Sequence, residues 1–155
     1  MPPLHRPASI AHKSHQAVIH APSHCRLGTR EKFHYIRANE LAKLGLTQEA
    51  RNEIGELQKT VRKNLTGVLW LSHLYHQAQG YAESLRLLHL YKDFTTKPKE
   101  RNLSSKFWKH FFPLAYKEAI LTYAKYRKVD PFFVNGIIRQ ESLFDSQALS
   151  PAGAR

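Results

Sequence analysis

The sequence predicts an all-α chain, and three observations carry that prediction. Apolar residues recur at helical spacing from Glu31 onward. Gly45 and the Gln79-Gly80 pair interrupt those runs at lengths that suit helices, and Asp130-Pro131 is a strong helix start. At 155 residues, with 42% hydrophobic content, there is material for one domain or for parts of two.

Residues 1–30 stand apart. They contain no Asp or Glu, four of the eight prolines, and His5, His12, His15, His20 and His24. No helical or strand period survives there, and the histidine spacings gather no compact ligand set, so a disordered N-terminal extension is expected. The same basic, acid-poor composition also fits an organellar transit peptide or a start codon placed too early.

Residues 31–94 read as a helical scaffold. Ala38, Leu41 and Ala42 form one face of a first helix that stops at Leu44-Gly45-Leu46. Thr47 is then an N-cap candidate for a second helix carrying Ala50, Ile54 and Leu57. Together they read as an antiparallel hairpin with Gly45 at its turn. A third helix presents Val68, Leu71, Tyr75 and Ala78, and a fourth Leu85, Leu88 and Tyr91. Two pairs of about 34–45 residues each resemble an α-solenoid of tetratricopeptide type; an ordinary bundle without repeats is the alternative.

Residues 95–106 are polar, hold Pro98 and lack periodicity, which makes them the expected linker. Residues 107–155 form the last unit. It opens on Phe107, Trp108, Phe111, Phe112, Pro113 and Tyr116, an aromatic group suited to knotting two helical units together or to serving as a ligand platform. A helix from about Lys117 to Lys128 is expected to turn Ile120, Leu121 and Ala124 inward. Asp130 caps the last helix, with Pro131 at its first position, where a missing N–H costs nothing.

That last helix carries the chemistry. Glu141 lies four residues after Ile137, three after Ile138 and seven after Val134, so it shares their face. A carboxyl held against aliphatic side chains resists ionisation and can keep a proton to give to a leaving group. The competing reading leaves Glu141 in water at a frayed helix end. Asp145 could repel its charge, or simply turn the chain after the helix. No second carboxylate suits a two-carboxylate glycosidase. His89 and His110 are the other candidates for proton chemistry, each equally at home as a surface or packing residue.

The net charge is +12, which favours anionic partners such as nucleic acid, an acidic membrane surface or an acidic wall polymer. The cations are scattered, and no nucleic-acid-binding motif accompanies them. The lone Cys25 cannot close an internal disulfide, and no Cys/His spacing suggests zinc. No apolar run reaches the 18 residues of a membrane span, and the N-terminus shows no apolar core of a secretory signal.

Residues 137–154, Ile-Ile-Arg-Gln-Glu-Ser-Leu-Phe-Asp-Ser-Gln-Ala-Leu-Ser-Pro-Ala-Gly-Ala, resemble the first signature of the soluble lytic transglycosylases, murein-cleaving enzymes with a lysozyme-like catalytic domain. The similarity reaches back through Asp130-Pro131 to Phe111-Phe112-Pro113-Leu114-Ala115-Tyr116, and more loosely to the helical superhelix that precedes that domain. Residues 1–30 match nothing in the family. The resemblance implies a superhelical scaffold segment followed by the first helices of the catalytic domain. It implies Glu141 as the single catalytic acid/base and Ser150 as a substrate-binding residue near it. Ser142, Phe144 and Gly153 fall at positions that shape the turn. Peptidoglycan glycan strands are the implied partner, the periplasm or cell envelope the implied location, and no metal or cofactor is implied. Ser146 stands where the family often has proline. Members continue after Gly-Ala with Gly-Leu-Met-Gln and a helical stretch that completes the groove. This sequence ends at Arg155, so weak or no activity is expected of the chain alone.

Overall fold

The computed structural model describes residues 27–62, 64–94, 105–149 and 153. Those residues form seven helices and no strand: α1 (Thr29–Lys43), α2 (Thr47–Val61), α3 (Leu65–Gln77), α4 (Tyr81–Phe94), α5 (Ser105–Phe111), α6 (Lys117–Arg127) and α7 (Pro131–Ser142). The all-α expectation holds. Of the expected extension 1–30, residues 1–26 lie outside the described residues and Thr29-Arg30 already begin α1; of the expected linker 95–106, residues 95–104 lie outside them and Ser105-Lys106 begin α5.

Each turn follows from local chemistry. At the end of α1, the Leu46 N–H donates to the Leu41 carbonyl and the Gly45 N–H to that of Ala42. This Schellman closure needs a left-handed residue, and Gly45 supplies it at φ 77°. Thr47 becomes the first helical residue, and Leu46 takes the cap position with no side-chain cap bond. The expected cap is therefore one residue off, because the Schellman turn places Leu46 directly against the next helix. Asn64 caps α3 by accepting from the Gly67 N–H at 2.8 Å.

Packing is serial: α1 on α2, α2 on α3, α3 on α4, with α5 laid across α3 and α4. Ala38, Ala50, Ile54, Leu57, Val68, Leu71 and Leu88 are buried in one core, joined by Phe107 and Phe111 from α5. The core helix is α3. It buries Val68, Leu71 and Tyr75 as the spacing predicts, and also Trp70, Ser72 and Leu74 on its other sides. Neighbours on three sides produce that distribution. Between α1 and α2, Glu53 accepts from His34 at 2.6 Å and pairs with Arg37 at 3.2 Å.

The two last helices form a thinner arm. In α6, Ile120 and Ala124 are buried, whereas Leu121 is exposed, contrary to expectation. Among the described residues only α7 covers this helix substantially, and Leu121, Tyr123 and Tyr126 are left exposed. Asp130 caps α7 as expected, accepting from the Phe132 N–H at 2.7 Å and the Phe133 N–H at 3.4 Å.

Candidate active site

The start of α6 and the end of α7 are tied to each other where the arm meets the body. The Tyr116 hydroxyl, at the start of α6, donates to the Phe144 carbonyl just past α7 at 3.0 Å. Leu85 of α4, Ala115 and Phe144 are fully buried together, with Tyr81, Ile138 and Leu143 packed around them. Burial raises the Tyr116 phenol above its ordinary value. The Asn135 amide donates to the Pro113 carbonyl at 3.2 Å, a second tie along the same side.

The chain leaves α7 through two successive left-handed residues, Leu143 (φ 51°) and Phe144 (φ 64°). Neither is glycine, so the local conformation is unfavourable by itself. Burial of the Phe144 ring among Leu85, Tyr81 and Ile138 stabilises it. The Asp145 N–H donates to the Ser142 carbonyl, and Asp145 accepts from the Gln147 N–H, both at 2.9 Å. Asp145 is thus a turn-former. The Ser142 hydroxyl donates back to the Ile138 carbonyl at 3.1 Å. Gly153 is left-handed at φ 78°.

Glu141 sits in the final turn of α7, one residue before its end. On its face, Val134 and Ile138 are half-buried, while Ile137 and Glu141 are exposed. The carboxylate forms no hydrogen bond or ion pair with any described residue. The helix that bears it is docked, but the carboxylate is presented to water, which corrects the expectation of a carboxyl held against aliphatic side chains and agrees with the competing reading. Two residues earlier, the Arg139 guanidinium lies 4.9 Å from the ring centres of both Phe111 and Phe112. Those aromatics hold a cation beside the acid-bearing helix as well as joining α5 to the scaffold. Ser150 lies outside the described residues.

The other proton-chemistry candidates belong elsewhere. The His89 ring lies tilted against Phe111, with centroids 4.6 Å apart. His110 enters a cluster with two α3 histidines, 5.7 Å from the His73 ring and 5.1 Å from that of His76. Burial, then the neighbouring His110 and His73, pushes His76 down to about 3; burial, then His73, pushes His110 down to about 4. All three rings are neutral near pH 7. Their only sequence signal was the i, i+3 spacing of His73 and His76; the third member arrives from a helix more than thirty residues away. Among the described residues, no group of three or more His, Cys, Asp or Glu is arranged to hold a metal ion. No family model matches this chain, and neither does any curated protein or solved structure.

Proposed function

We propose that this chain is a lytic transglycosylase segment acting on peptidoglycan at the cell envelope. The supporting observation is Glu141: a water-facing carboxylate on a helix end anchored through Ile138, Leu143 and Phe144. It stands inside the eighteen-residue stretch, 137–154, that resembles the family signature. The serial packing of α1 to α4 supports a helical-repeat scaffold, and the separate pairing of α6 with α7 supports the opening of a second unit, while α5 packs with the scaffold.

In this reading Glu141 protonates the oxygen between N-acetylmuramic acid and N-acetylglucosamine as the C1–O bond breaks. The carboxylate then accepts the proton of the muramic C6 hydroxyl as that oxygen bonds to C1. The 1,6-anhydro ring closes without water, so one carboxyl group serves both steps. Ser150 contributes a substrate-binding hydroxyl.

The test is digestion of purified sacculi, with product analysis for 1,6-anhydromuropeptides. Release by this chain is expected to be weak, and Glu141→Gln is expected to lower whatever is released roughly 100-fold or more. Because Glu141 is exposed and unpartnered among described residues, the variant should keep its stability within about 0.5 kcal/mol, so lost product reports chemistry. A second reading has its own support in the +12 charge: a non-catalytic basic helical module that binds wall polymer or a protein partner. Salt-sensitive binding to sacculi, equal in Glu141→Gln and without anhydro product, would establish the module and dismiss the enzyme.

A further inference from the structure

A groove of about 450 Å³ lies between α2 and α4, within the size range of ligand clefts. Its lining runs along α2 from Gly55 to Arg62 and along α4 from Glu83 to Leu90. Each stretch is roughly 10 Å of helix rise, the length of about three residues of extended chain. The apolar lining is Tyr75 of α3 and Leu87, both 3% exposed, with Leu90 open to water. Gly55 contributes no side chain, so a ligand's backbone has room to approach α2 there.

The charged lining is unbalanced. Lys59, Arg62 and Arg86 are exposed cations, against the single carboxylate of Glu83. Glu83 lies 3.5 Å from Arg51, and Lys59 is held by Glu56 of its own helix. Arg62 and Arg86 have no ion-pair or hydrogen-bond partner among the described residues. The Tyr75 hydroxyl donates to the Gln58 amide oxygen at 2.9 Å, which fixes that side chain and leaves its NH2 group to donate to a ligand.

Charge decides what fits. Residues 1–30 contain no Asp or Glu, and in 95–104 Glu100 stands among Lys97, Lys99 and Arg101. A second copy of the chain carries the same +12 charge. The matching occupant is therefore acidic and belongs to another molecule. Nucleic acid suits the groove less well, because Tyr75, the aromatic residue of its lining, is buried and offers no ring face for a base. An extended peptide turns alternate side chains to opposite sides. Apolar ones would then meet the buried Tyr75 and Leu87, and acidic ones the exposed arginines.

We propose that the α2–α4 groove binds a short, extended acidic segment of a partner protein, its carboxylates pairing with Arg62 and Arg86 and its backbone accepting from the Gln58 amide. No residue of α7 takes part, so the inference does not rest on the chemistry of Glu141.

The test is fluorescence anisotropy of the full chain with a labelled hexapeptide of alternating Glu and Leu, beside its Gln-Leu counterpart. The acidic peptide is expected to bind saturably and the neutral one far more weakly. Arg62→Gln with Arg86→Gln should weaken binding roughly tenfold, a few-fold for each exposed pair. Gly55→Leu keeps the net charge and places a side chain in the groove. A Cβ there meets only the Tyr75 hydroxyl, at 3.9 Å, and leucine favours a helix over glycine, so the thermal midpoint should hold or rise. Binding by this variant should fall roughly tenfold or more. Undiminished binding by Gly55→Leu would mean that overall charge attracts the peptide, and would overturn the proposal. So would the absence of saturable binding, or tighter binding of single-stranded oligothymidylate that the same substitutions abolish.

Discussion

The Tyr116 hydroxyl reaches the Phe144 carbonyl at 3.0 Å, closing a bridge between the first residue before α6 and the second residue after α7. That bridge holds the segment just past α7, whose end is the left-handed Leu143. Glu141 lies three residues before Phe144 along the chain, so the position of the candidate acid depends on this contact. Tyr116 itself is left-handed, at φ 53°.

Tyr116→Phe keeps the ring and deletes the donor. The carbonyl of the buried Phe144 then loses this partner, and stability should fall by about 1 kcal/mol. Urea unfolding of the variant measures this. If Glu141 works as proposed, anhydromuropeptide release should fall more than stability does, because the helix end loosens while the fold survives.

A buried polar chain joins α3 to α4. Ser72 and Ser84 are fully buried with their hydroxyl oxygens 2.6 Å apart, and His76 Nε2 lies 3.1 Å from the Ser84 oxygen. Ser84→Ala removes the central member and leaves two buried polar groups short of a partner, at a cost of about 1–3 kcal/mol. Adding Ser72→Ala should cost much less than a second increment of that size. A double-mutant cycle read by thermal unfolding checks the non-additivity.

Acid should weaken the docking of α5 on α3. His76 and His110 titrate at about 3 and about 4 in the fold, and burial also lowers His73. An unfolded histidine titrates near 6.5. Between that value and the folded ones the unfolded chain holds more protons, so stability is fully present above about pH 6.5 and is lost as pH falls. Each neutral ring contributes a slope of up to about 1.4 kcal/mol per pH unit. Urea midpoints from about pH 7 down to about pH 4.5 should decline, and His76→Gln should decline less steeply. Equal slopes in the two proteins would remove the cluster from the acid response.

Where one side of a helix faces a neighbour and the other faces water, the sequence was readable. Ala50, Ile54 and Leu57 of α2 are buried as their spacing implies. The Asp130-Pro131 start of α7 is also local chemistry, and its cap bonds are present. The extra burial of Trp70, Ser72 and Leu74 was not legible, because a helix enclosed on several sides loses its single-faced period. Leu121 misled for the opposite reason: its spacing is inward, but no neighbour covers that side of α6. At the candidate site, the position of Glu141 in the last turn of a helix was legible. Its exposure was one of two readings left open, since spacing names a face without saying what lies opposite.

By itself the sequence determined the helical class, the turn at Gly45, the cap at Asp130, and the +12 charge. Each rests on interactions within a few residues or on simple composition. Only the tertiary structure decided that His110 meets His73 and His76, that Tyr116 meets Phe144, and that Tyr126 and Phe133 project from the arm. The first two are contacts between distant segments, and the third depends on which surfaces remain uncovered after packing. No local period encodes either.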